Sequence, residues 1–462
     1  MKVAESHSRF HYNDILISCG RGGGIFNMVS SIRFNRNFIF VTVATLTAAL
    51  SLAMAPAARA VDDVPGTGAT ATETVLYSFG VGPTGSICMK ADDGADPKGS
   101  LTYVPATGLL FGRTSSTTSQ GNGDGTIFQI MPDGTGYQVD HFFAGAKSDG
   151  NDPRHNAMTL VGTVLYGTTL TGGAHDNGTI FSINDDGTGY STPPLFDFDK
   201  PAKHGAQPHS CFVASGSVLF GMTSQGGKNG GATGDGTIFS FDPSSATFSR
   251  LRSFDGKHGA DPHGQLILDP NLTTFYGMTR AGGSANVGVI FSFNAPKKSF
   301  KVLHSFSCPG NSTPDCADKN DGATPDHGTL VQSGSMLFGL TTFGGKFGNG
   351  ALFSINTNGK HFKILQSFGA PSTNDGINPY GSLLLNGTTL YGTTRSGGNK
   401  GNGTVFQINT DGSSYARIYD FQNVNDAMNP IDNVILVDNT LFGMAEAGGL
   451  CGNGAIFAIQ LP

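Results

Sequence analysis

Tryptophan is absent from this 462-residue chain, and Asp, Glu, Lys and Arg together make up only 13% of it. So few charges leave little to solvate the outer faces of long amphipathic helices. No lysine- or arginine-rich stripe is present, and the net charge of −6 is spread along the chain, which argues against nucleic acid as a partner. Cys-x2-Cys pairs, His-Glu-x-x-His, Gly-x-Ser-x-Gly and Gly-x4-Gly-Lys-Ser/Thr are all missing, so the familiar zinc, serine-hydrolase and phosphate-loop signatures find no match. Acidic loops such as Asp318 to Gly322 lack the ligand spacing and closing glutamate of a calcium loop. No metal and no cofactor is expected. What is plentiful is glycine, at 68 residues, and phenylalanine, at 34, a composition suited to short strands, tight turns and an aromatic core.

The N-terminal region reads as an address. Arg33 and Arg36 precede an apolar run from Phe38 to about Ala53, which ends in Ala58-Arg59-Ala60. Basic, apolar, then small-x-small is the order of a secretory signal peptide. Residues 28–60 are therefore expected to be a signal cleaved near Ala60, with 1–27 an unstructured extension or mis-assigned start and 61–72 a linker. No membrane span is expected after cleavage, and the protein is expected to be secreted, to the periplasm or beyond.

From Asp93 onward the chain repeats. An aromatic–Gly pair recurs seven times, at Phe111-Gly112, Tyr166-Gly167, Phe220-Gly221, Tyr276-Gly277, Phe338-Gly339, Tyr391-Gly392 and Phe442-Gly443. Each is followed by a second landmark, Gly-Thr-Ile-Phe or a close variant, ending at Phe128, Phe181, Phe239, Phe291, Phe353, Phe406 and Phe457. A third, Asp-Gly-x-x-Pro, precedes it at Asp93, Asp149, Asp321 and Asp375, with His204 and His258 replacing the aspartate in two copies. The sixth copy shows four alternating segments, with Asn386-Gly387 and Asp411-Gly412 placed as two-residue hairpin turns. Four antiparallel strands per repeat make a propeller blade, so residues 73–462 are predicted to form an all-β, seven-bladed β-propeller. The last copy lacks a fourth strand, and Glu73 to Phe79 matches the missing one, so the N-terminal strand is expected to close the ring.

The recurring Leu-Tyr-Gly-Thr-Thr, Gly-Gly and Gly-x-Gly-Thr-Ile-Phe elements resemble the bacterial GloVer tandem repeat family, found in exported proteins with varied surface anchors. The resemblance covers residues 74 to 462. It implies an exported repeat protein and no settled activity; a sorting or anchoring segment after Phe457 is not apparent.

Export permits disulfides among Cys88, Cys211, Cys308, Cys316 and Cys451. Cys308 and Cys316 bracket a short loop and are the predicted pair, a closure worth roughly 2–3 kcal/mol in the chain-entropy model. The pairing of the other three stays open, although Cys88 and Cys451 would be neighbours in a closed ring.

If the first strand of each blade is innermost, the Asp-Gly-x-x-Pro loop and the Gly-rich loop after the second strand share one face. The residue after the loop proline is Lys98, Arg154, His209, His263, Asp326 (followed by His327), Tyr380 and Ile431 in successive blades. Around a channel these would converge into a partly cationic rim able to hold a carboxylate or uronic-acid sugar. Lys98, Arg154, His209, His263, His327 and Tyr380 are the candidate ligand-binding residues; no catalytic residue is assigned. Arg113, Arg280 and Arg395 follow the second strand and could reach the same face, but read mainly as solvated surface. Three functions compete: a monomeric binding module for anionic polysaccharide or a surface protein, a polysaccharide lyase or glycosidase using the same face, and a structural cell-surface or matrix component. A lyase could use His209, His263 or His327 as base with Arg154 or Lys98 on the uronate. A glycosidase would need two carboxylates, and the rim offers only Asp326.

Overall fold

The computed structural model describes residues 71–81, 88, 93–117, 124–145, 147–155, 157–199, 203–228, 234–307, 321–371, 374–422 and 425–462. The predicted signal at 28–60, the extension before it, most of the linker and the Cys308–Cys316 loop lie outside the described residues.

The seven repeats fold as seven antiparallel blades of a β-propeller. In blade three the strands are Val213–Ser215, Val218–Thr223, Thr237–Asp242 and Thr247–Ser253, paired in that order. Blade seven is assembled from both ends of the ring: Ile435–Val437, Thr440–Gly448 and Ala455–Gln460 are completed by Thr72–Ser78, which runs antiparallel to Ala455–Gln460. Pairing the two ends leaves neither with an open edge, as the sequence predicts. Cys88 and Cys451 form a disulfide across the same junction, and Cys211 is buried and free.

The first two landmarks are partners. Each landmark glycine lies directly across the ladder from its landmark phenylalanine: Gly112 from Phe128, Gly167 from Phe181, Gly221 from Phe239, Gly277 from Phe291, Gly339 from Phe353, Gly392 from Phe406 and Gly443 from Phe457. The ring folds flat over the bare Cα, so a Cβ at Gly112 would lie 2.3 Å from the Phe128 Cζ. Phe128 and its six equivalents are fully buried. They anchor seven apolar clusters, each shared by two neighbouring blades; Leu110 and Phe128 of blade one, for example, pack with Phe442 and Ile456 of blade seven. The abundance of phenylalanine is thus the mortar between blades, each buried ring contributing roughly 1.5–3 kcal/mol.

The other two landmarks also meet, across the blade boundary. The glycine opening Gly-Thr-Ile-Phe has positive φ, and the loop proline of the next blade packs on it: Pro153 on Gly125, Pro325 on Gly288, and Pro97 on Gly454 to close the ring. At Gly454 a Cβ would lie 2.4 Å from the Pro97 ring and 2.7 Å from the Ala445 carbonyl. No L-residue with a side chain fits such a position without displacing a neighbouring blade. Within each blade the proline loop also pairs with the Gly-rich loop, as in Gly376–Ile377 with Ser396–Gly397, so the two loops expected to share a face are joined. The short first strands of adjacent blades touch one another and are innermost.

Candidate functional site

The loop aspartate works locally. Asp149 accepts bonds from the Gly150 and Ala144 amides at 2.8 and 3.0 Å and from the Tyr190 hydroxyl at 2.7 Å, tying the incoming chain to the preceding hairpin. Asp321, Asp375 and Asp426 likewise accept from the amide of the next residue, with Ser307, Tyr415 and Tyr419 respectively as further donors. In the two loops that carry histidine, the acid comes from the preceding chain: His204 faces Asp199 and His258 faces Asp255.

The residue before each loop proline takes a left-handed conformation in all seven blades: Asp96, Asp152, Gln207, Asp261, Thr324, Asn378 and Asn429. Asp and Asn tolerate this region better than other side chains, and they fill five of the seven positions. The turn is fixed by a hydrogen bond that its backbone N–H donates to the previous blade, such as Asp261 N to Asp235 O at 3.0 Å.

The residues after the prolines are thereby brought to the axis. A cavity of about 470 Å³ is lined by Lys98, Arg154, His209, His263, Asp326, Tyr380 and Ile431, one from every blade, together with His327. Only a site on the ring axis can touch all seven blades. Arg280 and Arg395, which directly follow the second strands of blades four and six, and Glu446, near the end of the second strand of blade seven, also line it. Arg113 does not join them. It sits one residue after its landmark glycine, inside the strand rather than beyond its end, and is fully buried. Its guanidinium donates to the Thr168 and His155 carbonyls at 3.1 and 2.7 Å and lies 3.2 Å from Cys211 Sγ, so its reading as solvated surface is corrected.

The rim cations are ion-paired. Lys98 contacts Asp96, Arg154 contacts Asp152, Arg280 contacts Asp261 and Asp326, and Arg395 contacts Glu446. In the three arginine pairs the acid is the deeper partner: side-chain exposure is 31% for Arg154 over 13% for Asp152, 40% for Arg280 over 7% for Asp326, and 46% for Arg395 over 15% for Glu446. The carboxylates therefore orient the guanidinium groups from below.

Beneath the rim, four histidines from blades two to five crowd together. The rings of His155 and His327 stack at 3.7 Å and those of His209 and His263 at 3.9 Å. His263 is held by Asp326 on Nδ1 at 3.0 Å and Asp261 on Nε2 at 2.9 Å. Burial disfavours its charge, but these two carboxylates outweigh burial and raise its pKa. Burial also pushes Asp326 up; the His263 bond and the nearby cationic groups reverse that and hold it well below the usual carboxylate range. Burial, reinforced by the other imidazoles, drives His155 and His209 well below the usual histidine value. Burial takes His327 down to about 3 despite the adjacent Asp326. Tyr380 is raised by burial and then by the Asp326 charge.

His155, Gln207, Ser224, Gln225, Asp261 and Glu446 line the cavity without having been singled out in the sequence. His155 and His327 share one repeat position, two after the proline, and Arg280, Arg395 and Glu446 share another, three after the landmark glycine; aligning the repeats at those positions exposes both sets. Asp261 sits where a turn residue is anticipated and carries no separate signal.

Fold and site together define a seven-bladed propeller of tandem repeats with an ion-paired, histidine-rich pocket at the channel mouth. The chain belongs to the Gloeobacter/Verrucomicrobia repeat family, whose pattern matches residues 96–320 and 313–462. No curated protein matches it. Among solved structures, it is similar to a periplasmic gluconolactonase of Pseudomonas aeruginosa, with 15% identity, a TM-score of 0.45 and coverage of 69% of this chain and 83% of that one. A gluconolactonase of Xanthomonas campestris shows 12% identity and a TM-score of 0.40 over 88% and 95% of the two chains. The extracellular domain of a candidate one-component system of B. thetaiotaomicron shows 13% identity and a TM-score of 0.48 over 79% and 38%.

Proposed function

We propose that the protein is an exported binding propeller whose channel mouth recognises a carboxylated sugar chain, a uronate oligosaccharide. The observation that carries this reading is the placing of Arg154, Arg280 and Arg395 on alternate blades around one opening, each more exposed than the acid beneath it. A guanidinium oriented from behind by a carboxylate still offers N–H donors outward, in the fork geometry that carboxylates accept. The cavity lies within the ~300–1,000 Å³ range of small-ligand sites. Export rests on the signal pattern of residues 28–60, and the Cys88–Cys451 disulfide accords with an oxidising compartment. Among the described residues no helix is long and apolar enough to cross a membrane.

Binding is favoured over bond cleavage by the state of the titratable groups. A general base works best with a pKa near the operating pH, whereas His155, His209 and His327 are driven far below it and His263 is pushed towards its protonated form. Among the described residues lining the cavity, Asp261 and Asp326 are engaged by His263 and Arg280, and Glu446 by Arg395, which argues against a free carboxylate pair for glycoside hydrolysis there.

A glycan array spanning uronate, sulfated and neutral oligosaccharides, probed with wild type and with R154A, R280A and R395A, tests the proposal. Retention of uronates by wild type, weakened in each variant, is the expected result. Equal signals for neutral and acidic sugars, or appearance of unsaturated products, would overturn it, the latter in favour of a lyase.

A further inference from the structure

Directly below the arginines lie nitrogen atoms that the rim does not use. Nδ1 of His155, Nδ1 of His209 and both ring nitrogens of His327 are buried and without a hydrogen-bond partner. His155 and His327 are each only 4% exposed. One ligand atom from each of the three rings can be chosen so that all lie within 4.8 Å of one another. A buried ring nitrogen without a partner is costly, and here the cost recurs on three neighbouring rings.

We propose that His155, His209 and His327 form a binding site for one divalent first-row transition metal ion of the Zn²⁺ class, with a fourth coordination position facing the channel mouth. The ligands come from blades two, three and five, so the site exists only in the closed ring. Three neutral imidazoles suit Zn²⁺, Co²⁺, Ni²⁺ or Cu²⁺ and not Ca²⁺ or Mg²⁺, which require oxygen donors. Imidazole must be unprotonated to ligate, so binding at this site should weaken as pH falls.

Asp326 supplies the supporting shell. Its Oδ1 lies 3.7 Å from His327 Nδ1, too far for a hydrogen bond but near enough to place a negative charge beside the cluster. His263 cannot compete for the role, since both its nitrogens are engaged by Asp261 and Asp326. The positive charges nearby are matched: Arg154 by Asp152, and Arg280 by Asp261 and Asp326. This site goes beyond the recognition of acidic sugars and stands or falls separately from it.

The test uses tag-free purified protein, stripped with EDTA and titrated with ZnCl₂ by calorimetry, with elemental analysis for stoichiometry and Co²⁺ absorption for geometry. One ion per chain, with the visible spectrum of a tetrahedral nitrogen-rich Co²⁺ site, is expected. H155A, H209A and H327A should abolish it, H258A, at an exposed histidine, should not, and D326N should weaken it about 10–100-fold. H209Q keeps a polar side chain in the cluster, and circular dichroism identifies any variant that fails to fold. Folded wild type that binds neither Zn²⁺ nor Co²⁺, or folded H327A and H209Q that both retain full stoichiometry, would overturn the proposal and leave a histidine stack with a packing role.

Discussion

Replacing Gly112 with alanine tests the repeat's main packing device. The added Cβ would lie 2.3, 2.8 and 2.9 Å from three carbons of the Phe128 ring, over 1 Å short of the ~3.5 Å at which carbon atoms rest at the closest point. The ring has nowhere to retreat, being fully buried, with Phe79 at 5.5 Å and Tyr137 at 5.4 Å between centroids. Gly112 is not in the left-handed region, so alanine adds no backbone strain there, and the steric term dominates. Overpacking of this kind costs about 1–3 kcal/mol. F128L removes the offending carbons and should itself cost roughly 1–2 kcal/mol, within the usual range for core truncation. The double variant should then be less destabilised than the two costs summed, by about 1 kcal/mol or more. Urea unfolding followed by far-UV circular dichroism measures all four proteins, the chain having no tryptophan to report by fluorescence. G112A unfolding at the wild-type midpoint, or costs that simply add, would refute the claim that the glycine exists to seat the ring.

Three further outcomes follow from the ring closure. G454A, at φ +102° and 2.4 Å from Pro97, should lose more than ~2 kcal/mol, whereas G452A, with nothing within 4 Å, should lose only the ~1–2 kcal/mol of a left-handed alanine; thermal unfolding compares them. C451S should destabilise the protein by about 2–5 kcal/mol, since Cys88 and Cys451 lie 363 residues apart, and non-reducing peptide mapping that finds both thiols free would dismiss the bond. Glu73 of the closing strand is pushed up to about 9 from 4.5 by burial and by the Asp426 charge. The folded state thus keeps a proton that the unfolded chain releases, so this contribution is complete below pH 4.5 and is lost as pH rises towards 9. E73Q should therefore match wild type in Tm near pH 5 and exceed it increasingly up to pH 9; parallel Tm curves would contradict this.

The blades were legible because these two landmarks are close in sequence and each repeats seven times: a glycine and the phenylalanine that covers it are only 14 to 18 residues apart. Ring closure was legible because Thr72–Ser78 carries the pattern that the last blade lacks, and the adjacency of Cys88 and Cys451 follows from it. Convergence of Lys98, Arg154, His209, His263, Asp326 and Tyr380 followed from one repeat position. The charge state of the rim did not. Asp152 and Asp261 occupy positions that demand a left-handed backbone, and the same residue types satisfy that demand whether or not they also hold an arginine. Arg113 was misread because its place inside the strand, rather than past its end, decides between core and channel. The grouping of His155, His209 and His327 depends on three separate blades, and no local spacing encodes it.

Recognition at the channel mouth is proposed to depend on negative charge carried by the sugar. Calorimetric titration with one uronate oligosaccharide, as the free acid and as its fully methyl-esterified form, isolates that charge with the sugar skeleton unchanged. Binding of the acid and at least a tenfold loss on esterification are expected, with R280A losing the difference between them. Equal affinity for the two forms, or no binding of either, would contradict it.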